Sequence, residues 1–470
     1  MRYIKVVLLL AMVISSCKKD KQVPVPAEEK ISVCFTLSPV EDFAIDSLIT
    51  FTNCSDSVGV AYEWNFGDGN TNSGRHTTHA YTEPGEYEVK LAVSRPGTTP
   101  VVLNKKIVVR IKERYVDLLS ITKPTDFAEA RDGSIYVMGN TNDKTDAKLY
   151  LSKFDKNLRL RWTKYWSDSH STVYRKIDVA PDGGLLMAGS WDEYDYRGPL
   201  CIMKTDSTGN VEWTKSYPLD MGVSIDIRSS SDGGIIIIAE EEGDLEGYGI
   251  KIGFTSMIKL NADGTLSWRK VFNKERFFGA GNILPLPDGY QFAASGTSLN
   301  GCANCYDSLV VLKTDFSGKL ILRKSRLRAP MSAVGGTYMA ATENYIFTNG
   351  PGPAFTLLDA TGKFSNEFPI PSDHSNWVSS TSTGHFVTGS GFTHWNGLLL
   401  TLFDETGVMK WTKRLGRRNK TCFPERGFGT FASQLKDNSI LFVGTSYKDC
   451  PNEQESSMYL VKVNENGDIL

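Results

Sequence analysis

The chain has 470 residues, with 52 Lys and Arg against 54 Asp and Glu and a formal net charge of −2. That balance leaves no basic footprint for a nucleic-acid backbone, so no nucleic-acid partner is expected. With 40% hydrophobic and 23% charged residues the composition is that of packed globular protein, which excludes wholesale disorder, and the length accommodates two or more domains or one large repeat array.

Arg2 and Lys5 precede an apolar run from Val6 to Ile14, the size of a secretory h-region and too short to span a bilayer. This predicts a signal peptide over 1–16. The run closes on Ile14-Ser15-Ser16-Cys17, which resembles the bacterial lipobox. The resemblance implies cleavage before Cys17 and lipidation of that residue, making acylated Cys17 the membrane contact. No other apolar run reaches 18 residues. Residues 17–30 are charged and Pro-containing with no apolar period, and read as an extended tether. The Lys18-Lys19-Asp20 start resembles lipoproteins of the Bacteroidetes, which implies a lipid-anchored outer-membrane protein facing the cell surface.

Seven cysteines remain after Cys17, an odd number. Cys201 lies in the apolar run Leu200-Cys201-Ile202-Met203 and reads as a buried thiol. The other six are expected to form three local bridges: Cys34 with Cys54, Cys302 with Cys305, and Cys422 with Cys450. The first would close a loop worth about 3 kcal/mol on the chain-entropy model.

From 31 to 112, short β-branched and aromatic runs alternate with Gly, Pro, Asn and Asp turns, the pattern of a sandwich. Within it, Tyr62-Glu63-Trp64-Asn65-Phe66-Gly67-Asp68-Gly69, then His79-Ala80-Tyr81, then Pro84-Gly85-Glu86-Tyr87-Glu88-Val89-Lys90-Leu91-Ala92-Val93 resembles a PKD domain. The resemblance implies an immunoglobulin-like sandwich that spaces, presents or binds rather than catalyses. Trp64 and Phe66 are expected on one face, Gly67 and Gly69 in a turn with positive φ, and Asp68 and His79 in structural roles.

Residues 113–470 repeat themselves. Each unit has an Asp-Gly turn, a β-run, a variable loop, a second apolar run, an Asx-x-x-Gly turn and, in most units, a Trp. The Asx anchors are Asp155, Asp206, Asn261, Asp315, Asp359, Asp404 and Asn464. Their spacing suits four short strands per unit and predicts an all-β fold: a PKD-like sandwich followed by a seven-bladed β-propeller. Trp162, Trp213, Trp268 and Trp411 recur at one position, where each is expected to cover the gap between blades; Leu322 takes that place in the fourth unit. The interval between this Trp and the following Asp-Gly turn, counted back from Asp132, reaches the β-run at Arg114, which is expected to pair with the last unit and close the ring.

In such blades one face carries tight turns and the other carries long loops, here 190–199, 240–254, 297–307, 390–396 and 445–457. Variable loops on a rigid scaffold are where binding resides. They hold Trp191, Tyr194, Tyr196, Tyr248, Tyr306, Phe392, His394, Trp395 and Tyr447, an aromatic set suited to protein hot spots or sugar stacking. No HExxH, nucleophile elbow or phosphate loop occurs. The Asx-x-x-Gly-x-x-x-Trp spacing resembles neither the quinone-propeller docking motif nor the sialidase Asp-box closely enough to carry chemistry. No catalytic residue, metal ligand or cofactor is therefore expected, and the acidic run 240–246 reads as a solvated loop. The functional expectation is a non-catalytic outer-membrane lipoprotein that binds a protein complex, with a surface glycan-binding or glycan-degrading protein as the alternative.

Overall fold

In a computed structural model the chain is all β, with no helix among the described residues. The structure describes residues 31–470 apart from 56–59, 119–121, 142–148, 168–171, 192–197, 245–250, 273–276, 281–282, 297–304, 333–337, 342–344, 350–353, 360–362, 370–376, 382, 392–397, 416–430 and 448–455. Cys17 and the whole of 1–30 lie outside it. The chain divides into two compact units, one built of 31–41, 48–79 and 86–107, the other of 42–47, 80–85 and 108–470. The segments 42–47, 80–85 and 108–112 thus group with the second unit.

In the first unit, Phe35–Ser38, Ile49–Asn53 and Thr77–His79 form one antiparallel sheet. A second sheet is centred on Gly85–Ser94, flanked by Val101–Arg110 and by Ala61–Asn65 with Thr71–Asn72. Alternation aims Val89, Leu91 and Val93 inward, all fully buried. They meet a buried aromatic set of Phe35, Phe51, Trp64 and Phe66, in which Phe35 stands edge-on to Trp64 at 5.2 Å. The Trp64 indole donates from Nε1 to the Gly74 carbonyl at 2.8 Å, so its one polar atom is satisfied in the core. Cys34 and Cys54 are disulfide-bonded just outside the ends of two paired strands, with Cα atoms 5.1 Å apart.

The second unit is a succession of antiparallel meanders. Thr122–Glu129, Ile135–Thr141, Leu149–Phe154 and Leu160–Trp166 make the first. Meanders follow with their second strands at Leu185–Ser190, Ile235–Asp244, Gly289–Gly296, Tyr345–Asn349 and Phe386–Gly391. The second strands are buried along most of their described length because both of their faces are covered; Ile135, Val137 and Met138 are fully buried, as are Ile236, Ile237 and Ile238. The last group joins Phe431–Gln434, Ile440–Tyr447 and Ser456–Val463 to Arg114–Asp117, with Tyr115 opposite Tyr459. This is the pairing expected of the run at Arg114.

One difference from the sequence expectation lies between the second and third units. There the outer strand of one runs without a break into the inner strand of the next, as Val211–Ser229. Pro218 falls within this strand where the ladder shifts register between Pro199 and Leu200, so its missing N–H is accommodated at an irregularity.

Candidate functional site

The tight turns are built by side chains capping their own backbone. Asp206 Oδ1 accepts from the N–H groups of Thr208 and Asn210, each at 2.8 Å, and Gly209 between them has a φ of +81°. Asp404 does the same with Thr406 and Val408, and Asn464 with Asn466 and Asp468, all at 2.9 Å. An amide serves as well as a carboxylate because only the oxygen is used. Backbone N–H of Asn210, with its neighbours' donors, holds the Asp206 carboxyl down to about 2, since every bond favours the charged form.

Four of these turns are gripped by the preceding unit. A Cβ placed on Gly209, Gly264, Gly318 or Gly467 would fall 2.7–3.1 Å from a Trp ring or Lys stem of that unit. The partner rings are Trp162, Trp213, Trp268 and Trp411, in that order. The Lys two positions beyond the Trp completes the grip: Lys164 Nζ reaches Asn210 Oδ1 at 2.9 Å and Lys215 Nζ the Asp263 carbonyl at 2.6 Å. The expectation that the Trp covers the gap between units holds, but each ring is only half-buried. A second set of ties joins turns within a unit, with Lys204 on Asp182, Lys259 on Asp232 and Lys462 on Asp437 at 2.6–2.7 Å.

At the inner strands the structure assembles a polar cluster that sequence reading missed. Asp126 Oδ2 accepts from Ile177 N–H at 3.2 Å, Asp178 Oδ2 from Ser229 N–H at 2.6 Å, and Asp226 Oδ2 from Ile283 N–H at 2.6 Å. Each carboxylate therefore bonds the backbone of the following unit, in its inner strand at Ile177 and Ser229 and directly before Leu284–Leu286 at Ile283. Arg228 Nη1 lies 3.2 Å from Asp226 Oδ1, and Lys176 Nζ lies 3.6 Å from Asp126 Oδ2. Burial pushes the carboxyls of Asp126 and Asp178 above the ordinary aspartate range. The available signal was their recurrence in phase with the repeat, at 126, 178 and 226.

Of the expected loop residues, Trp191 is described, half-buried directly after Leu185–Ser190, with its backbone packed on Gly198. Tyr306 and Tyr447 fall in the strands Cys305–Thr314 and Ile440–Tyr447, not in loops. Tyr194, Tyr196, Tyr248, Phe392, His394 and Trp395 lie outside the described residues, as do Cys302, Cys422 and Cys450, so the described residues bring none of these together. Cys305 opens its strand, and Cys201 is a buried thiol.

The acidic run is a correction. Glu240–Asp244 continues the strand Ile235–Asp244, which pairs with Lys251–Leu260 as far as Asp244 opposite Lys251. Alternation turns Glu241 inward, where it is buried and accepts from Arg269 Nε at 2.9 Å and from Arg269 Nη2. Its carboxylate is engaged in an ion pair rather than solvated. Among the described residues no cluster of three or more His, Cys, Asp or Glu side chains is arranged to hold a metal ion.

In the sandwich, Gly67 and Gly69 adopt φ of +84° and +92°, and His79 Nε2 meets Asp68 Oδ2 at 2.7 Å while its ring stacks on Phe66 at 4.1 Å. Residues 42–104 match the PKD domain family. Asp68 and His79, with Phe51, Trp64 and Phe66, fall within the matched residues. Collagenase ColA of Clostridium perfringens (strain 13 / Type A) is 39% identical over 143 residues, covering 27% of this chain. The match spans 13% of the collagenase. Among solved structures the chain is similar to BamB from Moraxella catarrhalis, at 11% identity and a TM-score of 0.40, covering 76% of this chain and 90% of that one. It is similar also to the Dos1 propeller, at 10% identity and a TM-score of 0.46, covering 74% and 94%. A protein of unknown function from Dyadobacter fermentans DSM 18053 is 9% identical with a TM-score of 0.43, over 75% and 98%.

Proposed function

We propose that the chain is a non-catalytic outer-membrane lipoprotein, anchored through Cys17, that binds or scaffolds a protein partner. On this reading residues 113–470 form a seven-bladed propeller closed by Arg114–Asp117, and the partner engages the aromatic loop end of its blades. The observation that supports it is the contrast between the two ends of the sheets. At one end the turns after Asp155, Asp206, Asn261, Asp315, Asp404 and Asn464 are uniform and capped by their own side chains or backbone. Connections at the other end differ in length from unit to unit, as between Ile135–Thr141 and Leu149–Phe154, Tyr345–Asn349 and Ala354–Asp359, or Ile440–Tyr447 and Ser456–Val463. A framework fixed at one end and variable at the other is suited to recognition at the variable end.

The test is purification of the tagged full chain from detergent-solubilised outer membranes, beside a variant carrying Trp191→Ala and Trp395→Ala. A stoichiometric membrane-protein partner that is lost in the variant supports the reading. A chain that is absent from the membrane fraction, or that comes out alone, overturns it.

A further inference from the structure

The repeats control for one another, because positions that serve the fold take the same kind of residue in each. The residue after the Asx anchor is Lys156, Ser207, Ala262, Ala360, Glu405 or Glu465 in six units, but Phe316 in the fourth. In six units the outer strand carries a one-residue bulge opposite the last residues of the preceding strand. The bulged residue is Arg161, Glu212, Ser267, Ser365 or Lys410 in five units, but Ile321 in the fourth. Where they are described, the bulge positions are exposed and the positions after the anchor are exposed or half-buried, and the other units put small or polar residues at both. Phe316 stands edge-on to Tyr290 at 5.5 Å and still leaves nearly half of its surface in solvent. The fourth unit departs from that rule twice, a few residues apart.

The result is a compact exposed apolar corner. Phe316 is 47% exposed and Ile321 55%, beside Leu320 at 42%, whose position is apolar and exposed in other units too, as at Leu160, Val211, Leu266 and Met409. Lys319, Arg323 and Lys324 stand exposed among them. Residues 316–328 contain five basic and no acidic residues, although the whole chain carries a net charge of −2. The neighbouring acid, Asp315, is committed to its turn through Ser317 N–H at 2.8 Å and Lys319 N–H at 3.0 Å. An apolar tip of Phe, Leu and Ile ringed by Lys and Arg is the chemistry that recognises the headgroup region of a bilayer bearing anionic lipids: the cations attract the surface and the apolar side chains enter it.

We propose that the corner formed by Phe316, Lys319, Leu320, Ile321, Arg323 and Lys324 is a docking surface for a membrane rich in anionic lipid headgroups. It acts independently of acylation, so its success or failure is separate from that of the anchor and of the loop-end partner. Contact at this corner would fix one side of the second unit against the bilayer, which an extended tether alone cannot do.

The experiment uses the full chain carrying Cys17→Ser, so that no acyl chain contributes, in flotation with vesicles of phosphatidylethanolamine with 30% phosphatidylglycerol. The expected result is flotation with these vesicles and none with phosphatidylcholine alone, reversed by high salt. The triple variant Lys319→Glu, Arg323→Glu, Lys324→Glu should lower the partition coefficient at least about a hundredfold, from about fivefold for each cation lost, with repulsion of the three new carboxylates adding to it. A second variant, Phe316→Ser with Ile321→Ser, should weaken partition while leaving its dependence on salt unchanged. Both alter exposed side chains, and matching thermal unfolding checks that they are folded. Absence of flotation with anionic vesicles overturns the proposal. So does flotation that both variants retain in full, which would place the contact elsewhere, or flotation that ignores lipid charge.

Discussion

The indole of Trp213 lies against the α-carbon of Gly264, so closely that a Cβ on that glycine would sit 2.9 Å from Trp213 Cη2. Gly264 also holds a φ of +79°, and the two demands coincide on one residue. Gly264→Ala is therefore expected to cost about 2–4 kcal/mol, from left-handed backbone and overpacking together. Urea unfolding of the single and double variants separates the parts. Trp213→Phe in the Gly264→Ala background should recover the packing share and leave the backbone share; a strictly additive double variant would show that ring and glycine do not compete for the same space.

Acid should loosen the capped turns. Asp206 has its folded pKa lowered to about 2, so its stabilisation is present above the unfolded value of about 4 and is lost as pH falls between them. Asn261 and Asn464 occupy the same position in their own turns, and Asn464 accepts the same two backbone bonds. Asp206→Asn should therefore keep the turn at neutral pH and remove its share of the acid sensitivity. Thermal unfolding from pH 6 down to pH 2 checks this: the melting curves of wild type and variant should converge or cross toward low pH, and parallel curves would contradict it.

The capped turns and the repeat were legible because each obeys a short-range rule: an Asx oxygen reaches the N–H groups two and four residues on, and a glycine supplies the positive φ. The spacing also placed Arg114–Asp117 beside the last group. Spacing placed each Trp at the gap between units but could not tell which residue of the next unit it meets, since Trp213 and Gly264 are far apart in sequence and come together only when the meanders stack. Glu241 was misread for a related reason. A run of three glutamates reads as solvated, yet alternation along a strand sends the middle one inward to Arg269. Asp126, Asp178 and Asp226 were hidden by the same habit of placing carboxylates outside.

Asp126 tests whether the inner-strand acids serve as charges or as acceptors. Burial raises its folded pKa, so as pH climbs from the unfolded value toward the folded one the group increasingly favours unfolding. Asp126→Asn keeps an oxygen for the Ile177 N–H and removes that cost. It should stabilise the chain at neutral pH, with the advantage vanishing at pH 3 and below. Asp126→Ala leaves the N–H without an acceptor and should cost about 1–3 kcal/mol. Denaturant titrations of both variants at pH 3 and pH 7 provide the comparison, and an asparagine variant as unstable as the alanine one would mean that the negative charge is required.

Glu241 and Arg269 make an unequal pair, because the carboxylate side chain is 3% exposed and the guanidinium 33%. Removing the arginine strands a desolvated charge, whereas removing the glutamate frees a cation that already touches water. Arg269→Ala should cost about 2–3 kcal/mol, below the range for a fully enclosed pair because solvent already screens one partner. Glu241→Gln should cost less, since its carbonyl oxygen still accepts from Arg269. Combining the two changes should be milder than the arginine change alone, as a neutral amide tolerates the site without a cation. Chemical denaturation of the three variants at neutral pH decides it: equal losses for the two single variants would mean that the pair acts through attraction alone, and a greater loss for Arg269→Ala that burial of the carboxylate dominates.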